Sequence, residues 1–313
     1  MLSRHLGRSG LTVSRLGLGT LTWGLEVDEE GARDQVSAFT AAGGTLIDTA
    51  RGYGEGAAET ILGRVLAGGV VARDEVVIVS KAGIRRGPGG RVVDVSRRAL
   101  LRDLDESLAR LGTDHLDVWL AHTWSDDVPL AETLGALEYA VSSGRARYVG
   151  ISNYSGWQTA RAFSVLESAR IPLVANEIEH SLLHRDAEHE VLPAAQALGF
   201  GVLSWAPLGR GILTGKYRTG IPPQSRAASR AFPRFLDRYL DERAVAITEA
   251  VVTAARGLDV PPAHVALAWA RDSPGVSSVI VGARTVTQLQ TALGSESVDL
   301  PGPVRDALDD VSA

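Results

Sequence analysis

The stretch LIDTARGYGEG, residues 46–56, opens as a buried apolar strand and breaks into a loop at its glycines. It sets a carboxylate, Asp48, at the end of the strand and a phenol, Tyr53, in the loop beyond. A strand that passes through a polar loop into a helical stretch is one βα unit, and the same succession recurs along the chain. LGLGT (16–20), GTLID (44–48), VVIVSK (76–81), HLDVWLAH (115–122), ARYVGIS (146–152), LVANEI (173–178), FGVLSW (200–205) and VSSVIVG (276–282) all read as short buried strands. Near-continuous apolar runs of this kind suit parallel strands covered on both faces. The segments between them are amphipathic. In SRRALLRDLDESLARLG, for example, Leu100, Leu101, Leu104, Leu108 and Leu111 fall at helical spacing with charges between them. Eight such units predict an α/β fold of the (β/α)8 TIM-barrel type. A doubly wound open sheet is the alternative, but LGLGTLTWG has a G-x-G without the helix start that completes a dinucleotide fingerprint.

Two segments stand outside the repeat. LSRHLGRSGLTVSRL has a Gly-Arg-Ser-Gly turn between alternating runs, which predicts an N-terminal β-hairpin capping one end of the barrel. After the seventh strand comes GRGILTGKYRTGIPPQSRAASRAFPRFLDRYLDER, rich in Gly, Pro, Ser and Arg. A connection this long in a compact fold is usually functional, and it is expected to fold over a ligand. One barrel domain is expected over residues 1–313.

Composition narrows the function. With 45% hydrophobic residues the chain is long enough to bury a sizeable core. No run of about 18 apolar residues occurs, and MLSRHLGRSG lacks the apolar segment of a signal peptide, so a soluble cytoplasmic protein without membrane association is expected. The absence of cysteine excludes disulfides, thiolate metal sites and a thiol nucleophile. A formal net charge of −5 without a basic run argues against nucleic-acid binding. Of the 32 basic residues only Lys81 and Lys216 are lysines. In so arginine-rich a chain, a lysine is expected where a compact, tunable ammonium does what a guanidinium cannot.

Barrel active sites gather at the C-terminal ends of the strands. Asp48, Lys81 and His122 end the second, third and fourth strands, and Tyr53 follows in the loop after the second. Each has an ordinary structural explanation, but their meeting on one rim suits proton donation by a phenol. Lys81, held charged by Asp48, is expected to stabilise a tyrosinate and lower the pKa of Tyr53, while His122 orients the substrate oxygen. The four do not make a familiar metal-ligand set, so no metal is expected. A Schiff-base aldolase using Lys81 is a remote alternative.

DTARGYG (48–54), SKAG (80–83), LAHTW (120–124) and GISNY (150–154), in this order, resemble the signature blocks of the aldo-keto reductase superfamily. The likeness runs from RHLGRSGLTVSRLGLGT to VIVGARTVTQLQ, and GRGILTGKYRTGIPPQSRA is most similar to the branch holding bacterial reductases and potassium-channel β-subunits. The resemblance implies Asp48, Tyr53, Lys81 and His122 as a catalytic tetrad, with Tyr53 the general acid. It implies NADP(H) as cofactor: Ser152, Asn153 and Glu177 at the carboxamide, Trp205 stacked on the nicotinamide, and Ala206, Leu208, Gly209, Arg210, Gly211 and Lys216 around the pyrophosphate. Gly282, Arg284, Gln288 and Arg226 would hold the 2′-phosphate end. Thr20 would border the cofactor, and Trp23 and Trp124 a small-molecule carbonyl substrate.

The chain departs from the family pattern at three places. Glu177 stands where glutamine is usual, His180 where tyrosine is common, and Thr291 and Ala292 where Glu and Asn often contact adenine. A carboxylate cannot donate a hydrogen bond unless protonated, so Glu177 predicts a weaker or pH-dependent grip on the nicotinamide. The expected activity is NADPH-dependent reduction of aldehydes or ketones. An NADP-binding regulatory subunit with little turnover is the alternative. Substrate identity and oligomeric state are not readable, and a homo-oligomer is compatible with the sequence.

Overall fold

The computed structural model describes residues 1–313 except 88, 224, 226, 227, 229–238 and 240. A short antiparallel hairpin comes first, β1 (Ser3–His5) and β2 (Thr12–Ser14). Eight strands then close a barrel: β3 (Leu16–Gly19), β4 (Leu46–Asp48), β5 (Val77–Ala82), β8 (Leu116–Ala121), β9 (Ala146–Ser152), β10 (Leu173–Glu179), β11 (Gly201–Trp205) and β12 (Val276–Gly282). Each is parallel to both neighbours, and β12 pairs with β3 to complete the ring. All eight strands fall where the β-branched runs lie.

The helices between the strands form for local reasons that the sequence carries. Helix Arg97–Leu111 starts at Ser96, whose side chain accepts from the Ala99 backbone N–H, and stops at Gly112 in the left-handed conformation. Its Leu100, Leu104 and Leu111 are buried, while Leu101 and Leu108 flank them as partly covered neighbours. That apolar stripe, like those of the other helices, belongs to one continuous layer of packing between the helices and the outside of the barrel.

A second core fills the barrel itself. Leu46, Val79, Val118, Leu120, Val174, Ala175, Leu203 and Ile280 meet there, and the hairpin region adds Leu6 and Val13 from below. The hairpin is tied down by Arg8 N–H donating to Gly199 O at 2.7 Å and Gly7 N–H donating to Ser277 Oγ at 3.3 Å. One end of the barrel is thus sealed, which leaves the C-terminal ends of the strands as the open face.

One element has no counterpart in the sequence reading. The segment after β5 turns back on itself as a hairpin, β6 (Ile84–Gly87) and β7 (Gly90–Val93). Glycine, proline and arginine make up most of it, and an exposed two-stranded ribbon needs no apolar alternation to form. Among the described residues no helix is long and apolar enough to cross a membrane.

Leu6 is fully buried at the sealed end. Leu6→Ala should lower stability by about 2–5 kcal/mol, the range for emptying a packed leucine site. Urea denaturation checks this; a loss near zero would show that the hairpin is not a plug but an ornament on the barrel.

Candidate functional site

The loop that carries Tyr53 is built from glycine for a steric reason. The turn Tyr53–Gly56 has φ of +56° at Gly54 and +97° at Gly56, and a Cβ on Gly56 would lie 2.7 Å from Nε of Arg110. Glu55 between them also takes a positive φ, +59°, but Gly56 combines one with a close side-chain approach, and the turn delivers the phenol to the rim beside β4 and β5.

Four residues that the sequence placed on the rim of three neighbouring strands meet there. Lys81, 1% exposed, donates to Asp48 Oδ1 and, at 3.0 Å, to the Thr49 carbonyl. Its Nζ lies 5.2 Å from the centre of the Tyr53 ring. The rings of Tyr53 and His122 meet edge to face at 6.0 Å. Glu177 completes the group: its Oε2 approaches Lys81 Nζ at 3.1 Å, an ion-pair contact without hydrogen-bond alignment. Glu177 therefore belongs to the charge cluster, and the sequence placed it only at the carboxamide.

Two carboxyl groups share one ammonium in a site closed to water, and both cannot ionise cheaply. Burial, reinforced by the charge of Asp48 and opposed by Lys81, pushes the Glu177 carboxyl up to about 8. Burial also raises Asp48, against the pull of Lys81. Burial alone would lower Lys81, but Asp48, Glu177 and Tyr53 together overcome it and raise it, so the amine stays charged. This disfavours the Schiff-base alternative, which needs a neutral amine. Lys81 does pull the Tyr53 pKa down, as expected, but the expected net lowering is corrected to a rise. Burial raises it, Asp48 and Glu177 add to the rise, and Lys81 only partly offsets them. His122 is held neutral, first by burial and then by the charges of Lys81 and Arg91.

These groups face a cavity of about 890 Å³. Asp48, Tyr53, His122 and Glu177 line one end; Arg284, Gln288, Thr291 and Ala292 line the other. Ser152, Asn153, Trp205, Ala206, Leu208, Arg210, Gly211, Lys216 and Gly282 also line it. Asn153 sits at φ +59° and organises the middle: its amide donates to His122 O at 3.0 Å and to Ser152 Oγ at 2.8 Å, and its carbonyl accepts from Trp205 Nε1 at 3.2 Å. Arg210 approaches Glu179 at 3.5 Å, and Tyr239, from the far end of the long loop, donates to the same carboxylate at 2.6 Å. Both ends of that loop are thereby pinned to the end of β10.

Other expected residues are placed elsewhere. Thr20 and Gly209 are buried and do not line the cavity. Trp23 is fully buried, its indole donating to Gln35 at 3.1 Å, and so does not face the cavity. Trp124 is held by Asp126 at 2.7 Å and packs against Tyr154 and Trp157, outside the cavity wall. Arg226 lies outside the described residues. His180 is also remote from the chemistry, stacked on Trp269 at 5.1 Å with Nε2 3.1 Å from Glu188.

Two charged residues near the cavity escaped the sequence reading. Glu26 reaches Arg284 at 3.7 Å, so a carboxylate from a distant loop stands at an end where the sequence around Arg284 showed none. Arg91 lines the end near Tyr53 and His122. Neither sits in a recognisable motif, and no local signal would have found them.

A model of the aldo/keto reductase family matches residues 15–313. The chain belongs to this family. It is 35% identical to the uncharacterized oxidoreductase YrpG of Bacillus subtilis, over 98% of this chain and 94% of that protein. It is equally similar to a probable voltage-gated potassium channel subunit beta of Oryza sativa, over 92% and 89% of the two chains. An L-glyceraldehyde 3-phosphate reductase of Escherichia coli K12 shares 35% identity over 93% of this chain and 86% of its own. The chain is accordingly an oxidoreductase of the aldo-keto reductase type.

The Glu177 proton has a measurable consequence. Folded, the residue keeps its proton up to about pH 8; unfolded, it loses it near the ordinary 4.5. Between those values the folded state holds the extra proton, so this group's contribution to stability falls as pH rises and is level outside the window. Glu177→Gln carries no such proton. Its stability relative to the parent should therefore climb across that window by at most about 1.4 kcal/mol per pH unit. Denaturation at a series of pH values reads this, and a flat difference would mean that Glu177 is already ionised in the folded cluster.

Proposed function

We propose that this chain reduces aldehyde or ketone carbonyls with NADPH, Tyr53 giving the proton. The observation that supports it most is the Asp48–Lys81–Tyr53–His122–Glu177 cluster at the end of a cavity long enough for an extended ligand. The residues along that cavity suit a dinucleotide: a half-covered indole, Trp205, beside polar Ser152 and Asn153, then Lys216, then Arg284 at the far end. Bound NADPH supplies the hydride that goes to the carbonyl carbon.

Everything else is proton handling by the chain. The high pKa keeps Tyr53 a neutral phenol at physiological pH, so the proton is in place when substrate arrives. As the carbonyl carbon accepts hydride, negative charge grows on its oxygen, and the Tyr53 hydroxyl transfers its proton there. The O–H bond of the product alcohol forms as that of Tyr53 breaks. The tyrosinate left behind faces Lys81, whose ammonium is fixed by Asp48, and the attraction is greatest once that charge has appeared. Neutral His122 can donate an N–H to the same oxygen without competing as an acid. At neutral pH Glu177 carries an O–H, so it can donate as the amide of glutamine would.

The regulatory alternative draws support from the likeness to a channel subunit, but the full proton-donating set favours turnover. Steady NADPH oxidation with a carbonyl panel, phosphorylated aldehydes included because a relative bears such an activity in its name, separates the two. Tyr53→Phe should bind NADPH normally and lose about 10² to 10⁴ in kcat, the usual range for a general acid. Retention of more than about a third of the activity, with hydride transfer limiting, removes Tyr53 from its role.

The cofactor preference is tested at the other end. A 2′-phosphate would replace Glu26 as the partner of Arg284, and charge-assisted hydrogen bonds contribute about 1.5–3 kcal/mol. Arg284→Ala should weaken NADPH binding about ten- to a hundredfold and leave NADH nearly unchanged, while Glu26→Gln should tighten NADPH by removing the competing carboxylate. Fluorescence titration decides; equal losses for both cofactors would assign Arg284 to the fold.

A further inference from the structure

The end of the cavity near Tyr53 carries positive charge that neither the proton transfer nor the dinucleotide uses. Hairpin β6–β7 stands at this end, and its Ile84 and Arg91 line the cavity together with Gly52, Tyr53 and His122. Ile84 pairs with Val93 and Arg86 with Arg91 across the two strands. Residues directly opposite share a face, as do residues two apart, so Arg86 lies on the same face of the ribbon as the cavity-lining pair. Arg85 points to the other face, where Asp94 stands 3.8 Å away.

Like charges directly opposite one another destabilise a strand pair. No ion pair or hydrogen bond to a described residue neutralises Arg86 or Arg91. Among the described residues the juxtaposition therefore brings the fold no ion pair, and two guanidinium groups share one face of the ribbon, with Arg91 at the lip of the site. The field of Arg91 also reaches the floor, where it helps to keep His122 neutral. That floor adds no uncompensated carboxylate against an anion: Asp48 is paired with the Lys81 ammonium, and burial pushes the Glu177 carboxyl up to about 8.

We infer that Arg91, assisted by Arg86, docks an oxyanion on the carbonyl substrate, so that the preferred substrates are aldehydes or ketones bearing a carboxylate or phosphate. A guanidinium offers parallel N–H donors that match either group, and two of them across a ribbon can grip it from both sides. With the anion held at the hairpin, the carbonyl end of the molecule extends toward Tyr53 and His122. The inference rests on the carbonyl-reductase reading and adds the substrate class to it.

Matched pairs test it: 4-carboxybenzaldehyde against its methyl ester, and glyceraldehyde 3-phosphate against glyceraldehyde, with the parent, Arg91→Ala, Arg91→Lys and Arg86→Ala. The parent should show a kcat/KM about ten- to a hundredfold higher for an anionic member, carried by KM, and the preference should shrink as salt rises because the ribbon is exposed. Arg91→Ala should remove most of the preference, Arg91→Lys should restore part of it, and Arg86→Ala should lower it less. Whichever pair shows the larger ratio identifies the oxyanion. A second readout does not need turnover: calorimetry with 4-(hydroxymethyl)benzoate and its methyl ester should show binding of the acid alone, lost in Arg91→Ala. Equal kcat/KM within both pairs, or equal loss for charged and neutral members in Arg91→Ala, overturns the inference while leaving the reductase reading intact. Absence of turnover with every aldehyde, alongside charge-selective binding of the acid, overturns the reductase reading and keeps the oxyanion site.

Discussion

A single buried ammonium organises the active end of this molecule. Lys81 is closed off from water, and an isolated charge there would be prohibitively unfavourable. Asp48 makes it tolerable, and the Thr49 carbonyl fixes its direction. Once it is present, the other groups acquire their properties from it. Glu177 can enter the same space only by keeping a proton, Tyr53 gains a counter-charge for the tyrosinate it would become, and His122 is discouraged from becoming a cation. The scarcity of lysine in the chain is consistent with this demand, because a planar guanidinium would not fit between two carboxyls and a phenol.

The barrel makes such a cluster possible by separating support from chemistry. The interior below the cluster is filled by aliphatic side chains from the strands and sealed by Leu6 and Val13 of the N-terminal hairpin. The charged groups thus face the cavity at the C-terminal ends of the strands. Positive charge then lines the cavity from Arg284 and Lys216 and, beside Tyr53 and His122, from Arg91 of the ribbon.

Some of this was visible in the residues themselves. The eight strands, the helical stripe of Leu100, Leu104 and Leu111 with its Ser96 cap, and the N-terminal hairpin follow from periodicities and turn chemistry that act within a few residues. Asp48, Lys81 and His122 were identifiable because strand ends share one rim in a parallel barrel. By contrast, Trp23 was expected at the substrate and lies in the core against Gln35, because aromatic character does not reveal which way a loop turns its ring. The ribbon β6–β7 went unread because its glycines and arginines resemble an ordinary exposed loop.

The sequence by itself determined the barrel, the family and the placing of Asp48, Lys81 and His122 at neighbouring strand ends, since each depends on local pattern or on the order of short motifs. Tertiary structure alone decided their electrostatics. The sign of the Tyr53 shift depends on how burial and the neighbouring carboxyl groups weigh against one ammonium, and residues far apart in the chain set that balance. The neutral state of Glu177, the approach of Glu26 to Arg284 and the exposure of Arg91 to the cavity belong to the same class. Coulomb energy and desolvation depend on distance through space, and one-dimensional spacing carries no record of that distance once loops have folded.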